Sequence, residues 1–342
     1  MIGELGVIGV IRVIGVIRIM IVIGIAREER FSPNSVEKDR AIMVAVMAQM
    51  QGRTLSEEDV KRHGTMLSEA DMKKGGIVLS EADILAAAAE AERHGEEYHL
   101  PDVDLYLSMA RGERLLALLR EKEAQGRVVM NPTEGVEACR RSRVEALMRR
   151  HHLPLPPQES GEGYWLKRGD GAAQEAADVV FCEDRQALAV AEQAFRERGI
   201  ADMVVQAHVR GDLVKFYGVE PAGFFRYFYP GDDGDSKFGD EERNGKPRHY
   251  FFQRQQLQAT AELLSRLAKV PVYGGDAIVK ADGDFVLIDF NDWPSFSRCK
   301  DEAARAIAFG GNWSNRNNRN NRNNRSNRNN RSNRNNQNNR KI

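Results

Sequence analysis

The chain has 342 residues, which is enough for two or three domains. Its 50 Lys and Arg residues balance its 50 Asp and Glu residues, but residues 312–342 hold eight Arg and one Lys with no acid. The remainder carries 41 basic against 50 acidic residues, a mildly acidic balance that argues against a nucleic-acid groove. Three cysteines, distant from one another and odd in number, argue against a disulfide framework or a zinc site and favour a reducing cytoplasm.

Residues 1–18 contain a six-residue unit, VIGVIR, twice in succession. The stretch is apolar, but Arg12 and Arg18 interrupt it, and the longest charge-free apolar run, residues 19–26, is too short to cross a bilayer. It has no basic leading segment of the kind that marks a targeting signal. We therefore expect a low-complexity extension over residues 1–18 and then a buried strand over residues 19–25, with no membrane partner; a membrane anchor is the alternative.

A polar loop follows this first strand. Asn34 and Glu37 form a capping-box pattern, which predicts a helix over residues 35–50. In a strand-loop-helix unit, ligands gather beyond the carboxyl end of the strand. Arg27 and Arg30 therefore either face an anionic substrate or are solvated loop charges.

A twelve-residue unit is repeated three times over residues 52–87. Each copy has a short apolar segment and then Ser-x-x-Asp, which is a favourable helix start. The third copy has the most β-branched segment, residues 77–79, and predicts the second strand, followed by an alanine-rich helix that ends near Gly95. Units this short lack the apolar face needed to stack as a solenoid. We expect the first two copies to form an irregular or helical insertion.

Alternating strands and helices continue to residue 132. A third strand is predicted over residues 103–109, with Arg111 at its end, an amphipathic helix over residues 113–125, and a short fourth strand over residues 127–130. This alternation is typical of a parallel sheet covered by helices on both faces. Residues 19–132 are therefore predicted to form a small α/β domain.

The pattern changes at Thr133. An arginine-rich helix is predicted over residues 136–151, and a proline-rich linker ends it. Lys167 then lies on a predicted strand that leads at once into a glycine-rich turn ending at Gly171. Glycines let the backbone approach a phosphate closely. A lysine in this setting is therefore a candidate phosphate ligand.

Two apolar strands within residues 203–219 flank a polar stretch, residues 206–212. Residues 224–229 are aromatic and extended, and Arg226 is the one cation among them. Residues 231–248 are polar and glycine-rich, which predicts a loop over the site. The basic residues of this loop either meet an anionic substrate or lie on a solvated surface.

A β-hairpin is predicted over residues 273–298. Its strands cover residues 276–279 and 285–288, and the Asp-Gly-Asp sequence of residues 282–284 supplies the tight turn. Helices are predicted on either side of the hairpin, over residues 253–269 and 301–309.

Asp276, Asp289 and Asn291 lie at the ends of the hairpin strands. Asp289 and Asn291 are two residues apart, so they project from the same face of an extended chain. Hard oxygen ligands held by paired strands suit Mg²⁺, which takes its remaining ligands from water and phosphates. The alternative is a charged hairpin with ordinary surface acids.

The hairpin sequence, GD at residues 275–276 and IDFNDWP at residues 288–294, resembles the closing motif of the ATP-grasp family. In that family an early Asp and an acid-x-Asn pair hold the magnesium ions of Mg·ATP. Many ATP-grasp ligases carry Glu where this chain has Asp289, and the Asp form is also similar to the inositol phosphate kinase branch. The resemblance implies an α+β, two-lobed ATP-grasp domain over residues 133–310, preceded by a pre-ATP-grasp α/β domain with a parallel sheet.

The same resemblance implies roles for the cations and the metal ligands. Lys167 matches the family lysine that neutralises the α- and β-phosphates, and the helix before it carries a phosphate-contacting cation, for which Arg143 is the best match and Arg141 the alternative. Lys215 resembles a basic residue near the phosphates or the substrate, and Arg226 is a candidate clamp for a phosphate or carboxylate. The implied metal ligands are Asp276, Asp289 and Asn291.

The polar stretch matches the family's adenine hinge. Its backbone at Gln206, Ala207, His208 and Val209 is implied to pair with the adenine edge, and Asp212 to reach the ribose hydroxyls. An acid is common where this chain has Ala207, but recognition through the backbone tolerates that change.

Residues 311–342 consist mainly of Asn, Arg and Ser in an approximate three-residue period. Such a segment cannot bury apolar surface, so we expect it to be disordered. Its positive charge predicts only weak, salt-dependent affinity for nucleic acid.

The resemblance as a whole implies a cytoplasmic enzyme that uses ATP and Mg²⁺. The first hypothesis is a ligase that joins a carboxylate to an amine through an acyl phosphate. The second is a small-molecule kinase similar to the inositol phosphate kinases, and the third is a non-catalytic nucleotide- or RNA-binding protein. The acceptor is expected to be a small, anionic molecule that the sequence does not identify, and whether the chain forms a homodimer stays open.

Overall fold

The computed structural model describes residues 22–27, 36–50, 77–103, 105–170, 175–232 and 243–310. Several predictions fall outside these ranges: the extension over residues 1–18, Arg30, the first two copies of the twelve-residue repeat, and the Asn/Arg-rich tail. Within the described ranges, no helix combines the length and apolar character needed to span a membrane.

The first domain is a parallel four-stranded sheet in the order β2-β1-β3-β4. Its strands are β1 (Val22–Ala26), β2 (Ile77–Ser80), β3 (Leu105–Ser108) and β4 (Val128–Met130), and its helices are α1 (Val36–Gln49), α2 (Glu81–Arg93) and α3 (Glu113–Ala124). Ser80 caps α2 in a reciprocal capping box with Asp83, as the Ser-x-x-Asp pattern indicates. The parallel α/β domain predicted from the alternating pattern is thus present.

The single helix predicted over residues 136–151 is wrong, because two helices cover this region: α4 (Thr133–Ala138) and α5 (Arg141–Arg150). Arg140 between them has an extended backbone, with ψ of 132°, and precedes the first turn of α5. The break places the start of α5 against the end of β5, where the Ser142 amide donates to the Gly169 carbonyl at 3.1 Å.

A small antiparallel sheet in the order β6-β5-β7 follows. Its strands are β5 (Tyr164–Arg168), β6 (Val179–Cys182) and β7 (Met203–Ala207), and α6 (Arg185–Glu197) covers one face. Tyr164 and Leu166 point into the apolar cluster beneath α6. Because side chains alternate along a strand, Trp165 and Lys167 lie on the opposite face.

A larger antiparallel sheet in the order β11-β10-β8-β9 completes the chain. Its strands are β8 (Asp212–Val219), β9 (Phe224–Phe228), β10 (Val272–Val279) and β11 (Phe285–Asp292), and its helices are α7 (Arg254–Ala268) and α8 (Lys300–Gly310). The β10–β11 hairpin turns at Gly283, whose φ of +89° is in the left-handed region that the Asp-Gly sequence predicts.

One apolar cluster joins the first domain to the large sheet. The first domain contributes Met43 of α1 and Leu107 of β3 to this cluster. The large sheet and its surroundings contribute Tyr217 of β8, Trp293 directly after β11, and Ile307 of α8. The two domains therefore share a core and do not meet only through surface contacts. All three cysteines are buried and free.

Candidate functional site

The candidate site lies between the two antiparallel sheets, and Lys167 of β5 bridges them. Its side chain is buried, and its Nζ donates to the Gln206 side chain at 3.0 Å and to the Ile288 carbonyl at 3.1 Å. Gln206 belongs to the small sheet and Ile288 to β11 of the large sheet. The Lys167 ammonium is therefore held at the backbone of Ile288, the residue that precedes Asp289.

Asp276 and Asp289 are opposite each other in the β10–β11 pairing, next to a register shift between Asp276 and Ala277. Asn291 lies two residues after Asp289, and its Nδ2 donates to Asp289 Oδ2 at 3.1 Å. The structure thus brings together the three predicted metal ligands. Since the amide nitrogen of Asn291 is used by Asp289, the amide oxygen is the atom suited to a cation.

Lys215 joins this group from the neighbouring strand. It pairs in register with Asp276, and its Nζ lies 3.0 Å from Asp276 Oδ1. Both side chains are partly open to solvent. Their attraction raises the pKa of the Lys215 ammonium, so the lysine stays charged.

Arg141, and not Arg143, is the cation that α5 contributes to the site. The Arg141 Nε lies 3.5 Å from Asp289 Oδ1, and its Nη1 donates to the Arg168 carbonyl at 3.0 Å. Arg143 is 54% exposed and lies 3.9 Å from Glu137. Residues two apart on a helix face different directions, so the structure places Arg141, the alternative, beside Asp289 and leaves Arg143 outside the cluster. Contact of either arginine with a phosphate stays a prediction.

Three cations face two acids in this cluster: Lys167, Lys215 and Arg141 against Asp276 and Asp289. Burial by itself raises the pKa of Asp289, but Arg141, Lys167, the Asn291 amide and Lys215 together outweigh it and lower that pKa. Asp289 is thus held ionised within a cluster in which cations outnumber acids, and this excess of positive charge suits an incoming polyanion such as a triphosphate.

The donor set also fits a hard divalent cation. Two carboxylates directly across a strand pair and an amide oxygen on the same strand are the ligand types that Mg²⁺ prefers, with phosphate oxygens completing the shell. No group of three or more His, Cys, Asp or Glu within the described residues could hold a metal unaided. A site of this kind therefore depends on Asn291 and on ligands from a bound molecule.

The predicted hinge follows the end of β7, which is an edge strand. The His208 amide donates to the Gly163 carbonyl at 2.9 Å, so His208 faces β5. Because backbone groups alternate in an antiparallel pair, those of Ala207 face the outer edge, where its amide donates to the Pro157 carbonyl at 3.2 Å. The same alternation places the Ala207 carbonyl toward this edge. Adenine pairing here stays a prediction.

A cluster of three aromatic rings lies beside the hinge, on the face of the small sheet that carries Lys167. Trp165 donates its indole N–H to His208 Nδ1 at 3.2 Å, and Phe181 stands edge-on to both rings. Burial lowers the pKa of His208, so the imidazole is neutral with its proton on Nε2. Arg243 lies over the Phe181 ring at 3.4 Å.

Asp212 is buried, and its carboxylate is hydrogen-bonded to the protein backbone and does not face an open ribose site. Its carboxylate accepts hydrogen bonds from the backbone amides of Arg248 at 2.8 Å and Tyr250 at 2.9 Å. In this structure Asp212 anchors the end of the predicted loop. Its ribose role stays a prediction.

Arg226 does not join the acid cluster. It lies opposite Tyr217, two residues beyond Lys215, and forms an ion pair with Glu302 of α8 at 2.5 Å. Both side chains of that pair are close to half exposed. The Glu302 carboxylate explains the position of Arg226 without a bound phosphate or a substrate carboxylate.

Arg27 does not face an open substrate site either. It is buried, its Nε lies 2.6 Å from Asp39, and its Nη2 donates to the Trp293 carbonyl at 2.7 Å. Arg111 makes a similar pair with Asp292 at 2.5 Å. Sequence reasoning placed both arginines at strand ends but missed their acidic partners, because burial of a lone acid leaves no local signal.

Comparison with known proteins places this arrangement in a fold class. A D-alanine–D-alanine ligase from Bacillus anthracis, solved in complex with ATP, is similar over 84% of this chain and 92% of its own, with a TM-score of 0.50 at 12% identity. A biotin carboxylase from Campylobacter jejuni, solved as a β-γ-ATP complex, is similar over 85% of this chain and 71% of its own, with a TM-score of 0.50 at 16% identity. No family model matches the sequence. No curated protein matches it significantly.

The chain has the ATP-grasp fold. The small and large antiparallel sheets are its two lobes, and the parallel domain precedes them, as the sequence resemblance implied.

Proposed function

We propose that the protein is an ATP- and Mg²⁺-dependent ligase that joins a carboxylate to an amine. The observation that carries the proposal is the cluster in which Lys167, Lys215 and Arg141 surround Asp276 and Asp289. The two similar proteins, a D-alanine–D-alanine ligase and a biotin carboxylase, were both solved with adenine nucleotides, which supports ATP as the nucleotide.

The cluster suits phosphoryl transfer because it offers positioning and charge neutralisation, the two main contributions a protein makes to that reaction. Lys167 and Arg141 both lie near Asp289 and would neutralise phosphate oxygens placed between the lobes. Lys215 would do the same beside Asp276. Asp276, Asp289 and Asn291 would hold Mg²⁺, and the ion would supply further neutralisation of the phosphate charge.

The reaction has two balanced steps. A carboxylate oxygen of the acceptor attacks the γ-phosphorus of ATP, which forms an acyl phosphate and releases ADP. The amine then attacks the acyl carbon, inorganic phosphate leaves with the bonding electron pair, and the amine nitrogen loses a proton. The described residues of the cluster supply no general base, and none is required when the amine arrives neutral.

Nucleotide binding can be tested without knowing the acceptor. ATP at 100 times its dissociation constant should stabilise the folded protein by about 2.7 kcal/mol, which a thermal unfolding assay detects easily. We expect Mg²⁺ to strengthen this stabilisation in the wild type and to have no effect in Asp289→Asn/Asn291→Ala. A folded wild type that gains no stability at millimolar ATP with Mg²⁺ would overturn the proposal.

The chemistry can be tested with a panel of amine and carboxylate pairs, each carboxylate labelled with ¹⁸O, and in parallel with a panel of polyols as hydroxyl acceptors for a kinase. A ligase transfers one labelled oxygen to the inorganic phosphate, because the acyl phosphate breaks between carbon and that oxygen. A kinase leaves the phosphoryl group on its product and releases no inorganic phosphate. Asp289, in place of the Glu of many ATP-grasp ligases, is the feature that favours the kinase, so this assay decides between the two reactions.

A further inference from the structure

The end of β11 is held by the first domain as well as by its own sheet. Asp292 follows Asn291 directly, and its carboxylate is buried against Arg111, with Nη2 to Oδ1 at 2.5 Å. Arg111 comes from the carboxyl-end edge of the parallel sheet, 181 residues away in sequence. The side chain next to a candidate metal ligand is thus fixed by another domain.

The next residue, Trp293, is fixed from the same direction. The Arg27 guanidinium donates to its carbonyl at 2.7 Å, and its indole N–H donates to the Met130 carbonyl at 2.8 Å. Its φ of +39° is unusual for a bulky residue, and such backbone conformations persist only where surrounding contacts hold them. Three strands of the first domain therefore contribute to holding this turn.

Asn131, at the end of β4, ties the first domain to the paired strand of the hairpin. Its side chain donates to the Val272 carbonyl at 2.7 Å and accepts from the Val272 amide at 2.9 Å. Val272 begins β10, the strand that carries Asp276. Both strands that supply the metal ligands are consequently positioned by hydrogen bonds to the parallel domain.

The charges at this junction are balanced. Arg27 pairs with Asp39 and Arg111 with Asp292, and all four side chains are at most 12% exposed. A buried, neutralised set of this kind presents no excess positive charge to attract an anionic acceptor. The junction therefore influences the site through geometry, by holding the residues that follow Asn291.

We propose that Arg111 is a positioning residue for the metal site: by holding Asp292, it fixes the rotation of β11 and keeps the Asn291 amide beside Asp289. Successive side chains on a strand point to opposite faces, so fixing Asp292 on one face orients Asn291 on the other. The inference rests on the proposed function, because it assumes that Asn291 and Asp289 bind the metal of a metal–nucleotide complex. It predicts that metal affinity at the ATP-grasp core depends on the first domain.

The test separates metal binding from nucleotide binding. Mn²⁺ is titrated into protein saturated with a non-hydrolysable ATP analogue and followed by electron paramagnetic resonance, and the affinity for the analogue without metal is measured by calorimetry. The variants are Arg111→Lys, which keeps the charge but loses the planar fork, and Arg111→Met/Asp292→Asn, which removes both charges and avoids an unpaired buried charge. Arg127→Met is the matched control, because Arg127 pairs with Asp102 on the exposed side of the same domain.

We expect the Mn²⁺ midpoint to rise at least tenfold in Arg111→Met/Asp292→Asn and by a smaller factor in Arg111→Lys. The metal-free affinity should stay within twofold of wild type in both, and Arg127→Met should leave both quantities unchanged. An unchanged midpoint in a folded double variant would overturn the inference. Unfolding of both Arg111 variants would overturn it too, since the pair would then serve the fold alone. Failure of the wild type to bind the analogue with Mn²⁺ would instead count against the proposed function.

Discussion

Arginines face aspartates at both junctions of the ATP-grasp core, but the two groups differ in charge balance and burial. At the junction with the first domain, Arg27 and Arg111 meet Asp39 and Asp292 one to one. An apolar cluster that includes Trp293 and Phe296 continues across that junction. At the junction between the lobes, three cations share two acids, and the Lys215–Asp276 pair is open to solvent.

The pKa shifts of the acids follow this difference. At the first junction, burial raises the pKa of Asp39 and outweighs its attraction to Arg27. Between the lobes, burial acts in the same direction on Asp289, but several cations together outweigh it and lower that pKa. Similar residue types therefore form a neutral structural contact in one place and a positively charged candidate site in the other, and the number of charged partners decides which.

The largest expected effect comes from breaking the balanced junction. Asp292→Ala leaves Arg111 buried without a counter-charge, and removing one partner of a buried ion pair destabilises a protein by about 3–5 kcal/mol. Chemical denaturation of wild type and variant measures this difference. The control is Asp102→Ala, which breaks the exposed pair with Arg127 and should change stability by about 0–1 kcal/mol. Equal effects of the two substitutions would show that the buried junction is not special.

Substitutions in the cluster between the lobes, where cations outnumber acids, should change the affinity for the nucleotide. Lys167→Met removes a buried ammonium that would donate to phosphate, and a charged hydrogen bond contributes about 1.5–3 kcal/mol. We expect the affinity for a non-hydrolysable Mg·ATP analogue, measured by calorimetry, to fall by about 10- to 100-fold. Lys280→Met is the control, because Lys280 pairs with acids at the far tip of the same hairpin and should not affect affinity. Matching losses in both variants would contradict a phosphate role for Lys167.

Titration of the two aspartates tests the contrast directly. Carboxyl-carbon NMR of the ligand-free protein should show Asp289 titrating below, and Asp39 above, the ordinary aspartate pKa of about 3.9. The lowered pKa of Asp289 means that its ionised form contributes stability above the unfolded pKa, and that this contribution is lost as pH falls through the folded pKa. Asp39 has the opposite sign: as pH falls through its raised folded pKa, protonation relieves the cost of its buried charge.

In Arg141→Met the Asp289 pKa should move upward, since Arg141 is the first of the cations that lower it. Arg143→Met is the matched control two residues along the same helix, and it should leave the titration unchanged because Arg143 is exposed and lies near Glu137. A larger shift in Arg143→Met than in Arg141→Met would reverse the assignment made from the structure.

The smallest effect is expected at Arg226. Its partner Glu302 is close to half exposed, and surface pairs of this kind contribute about 0–1 kcal/mol. Arg226→Ala should therefore leave the affinity for the Mg·ATP analogue within about twofold of wild type. A loss as large as that of Lys167→Met would restore the phosphate-clamp role implied by the family resemblance and would extend the positive cluster along β9.

Much of the fold could be predicted from local sequence. Short-range patterns predicted the alternation of strands and helices in the first domain, the capping of α2 by Ser80 and the turn at Gly283, because backbone conformation and hydrogen bonds within a few residues determine these features. The break at Arg140 was missed, since the arginine-rich sequence on both sides of it favours a helix and only the docking of α5 against Gly169 interrupts it.

The candidate site likewise has one part that the sequence predicts and another that only the tertiary structure sets. The sequence by itself determined that Asp289 and Asn291 share a strand face, because side chains alternate along a strand. The tight turn alone would place Asp276 opposite Ile288, and only the register shift between Asp276 and Ala277 brings Asp276 opposite Asp289. Only the tertiary structure decided which arginine faces Asp289, where Asp212 and Arg226 find their partners, and which domain holds Asp292. Those pairs join residues from 36 to 181 positions apart, and the burial and charge environment that select them exist only once the lobes and the first domain have packed together.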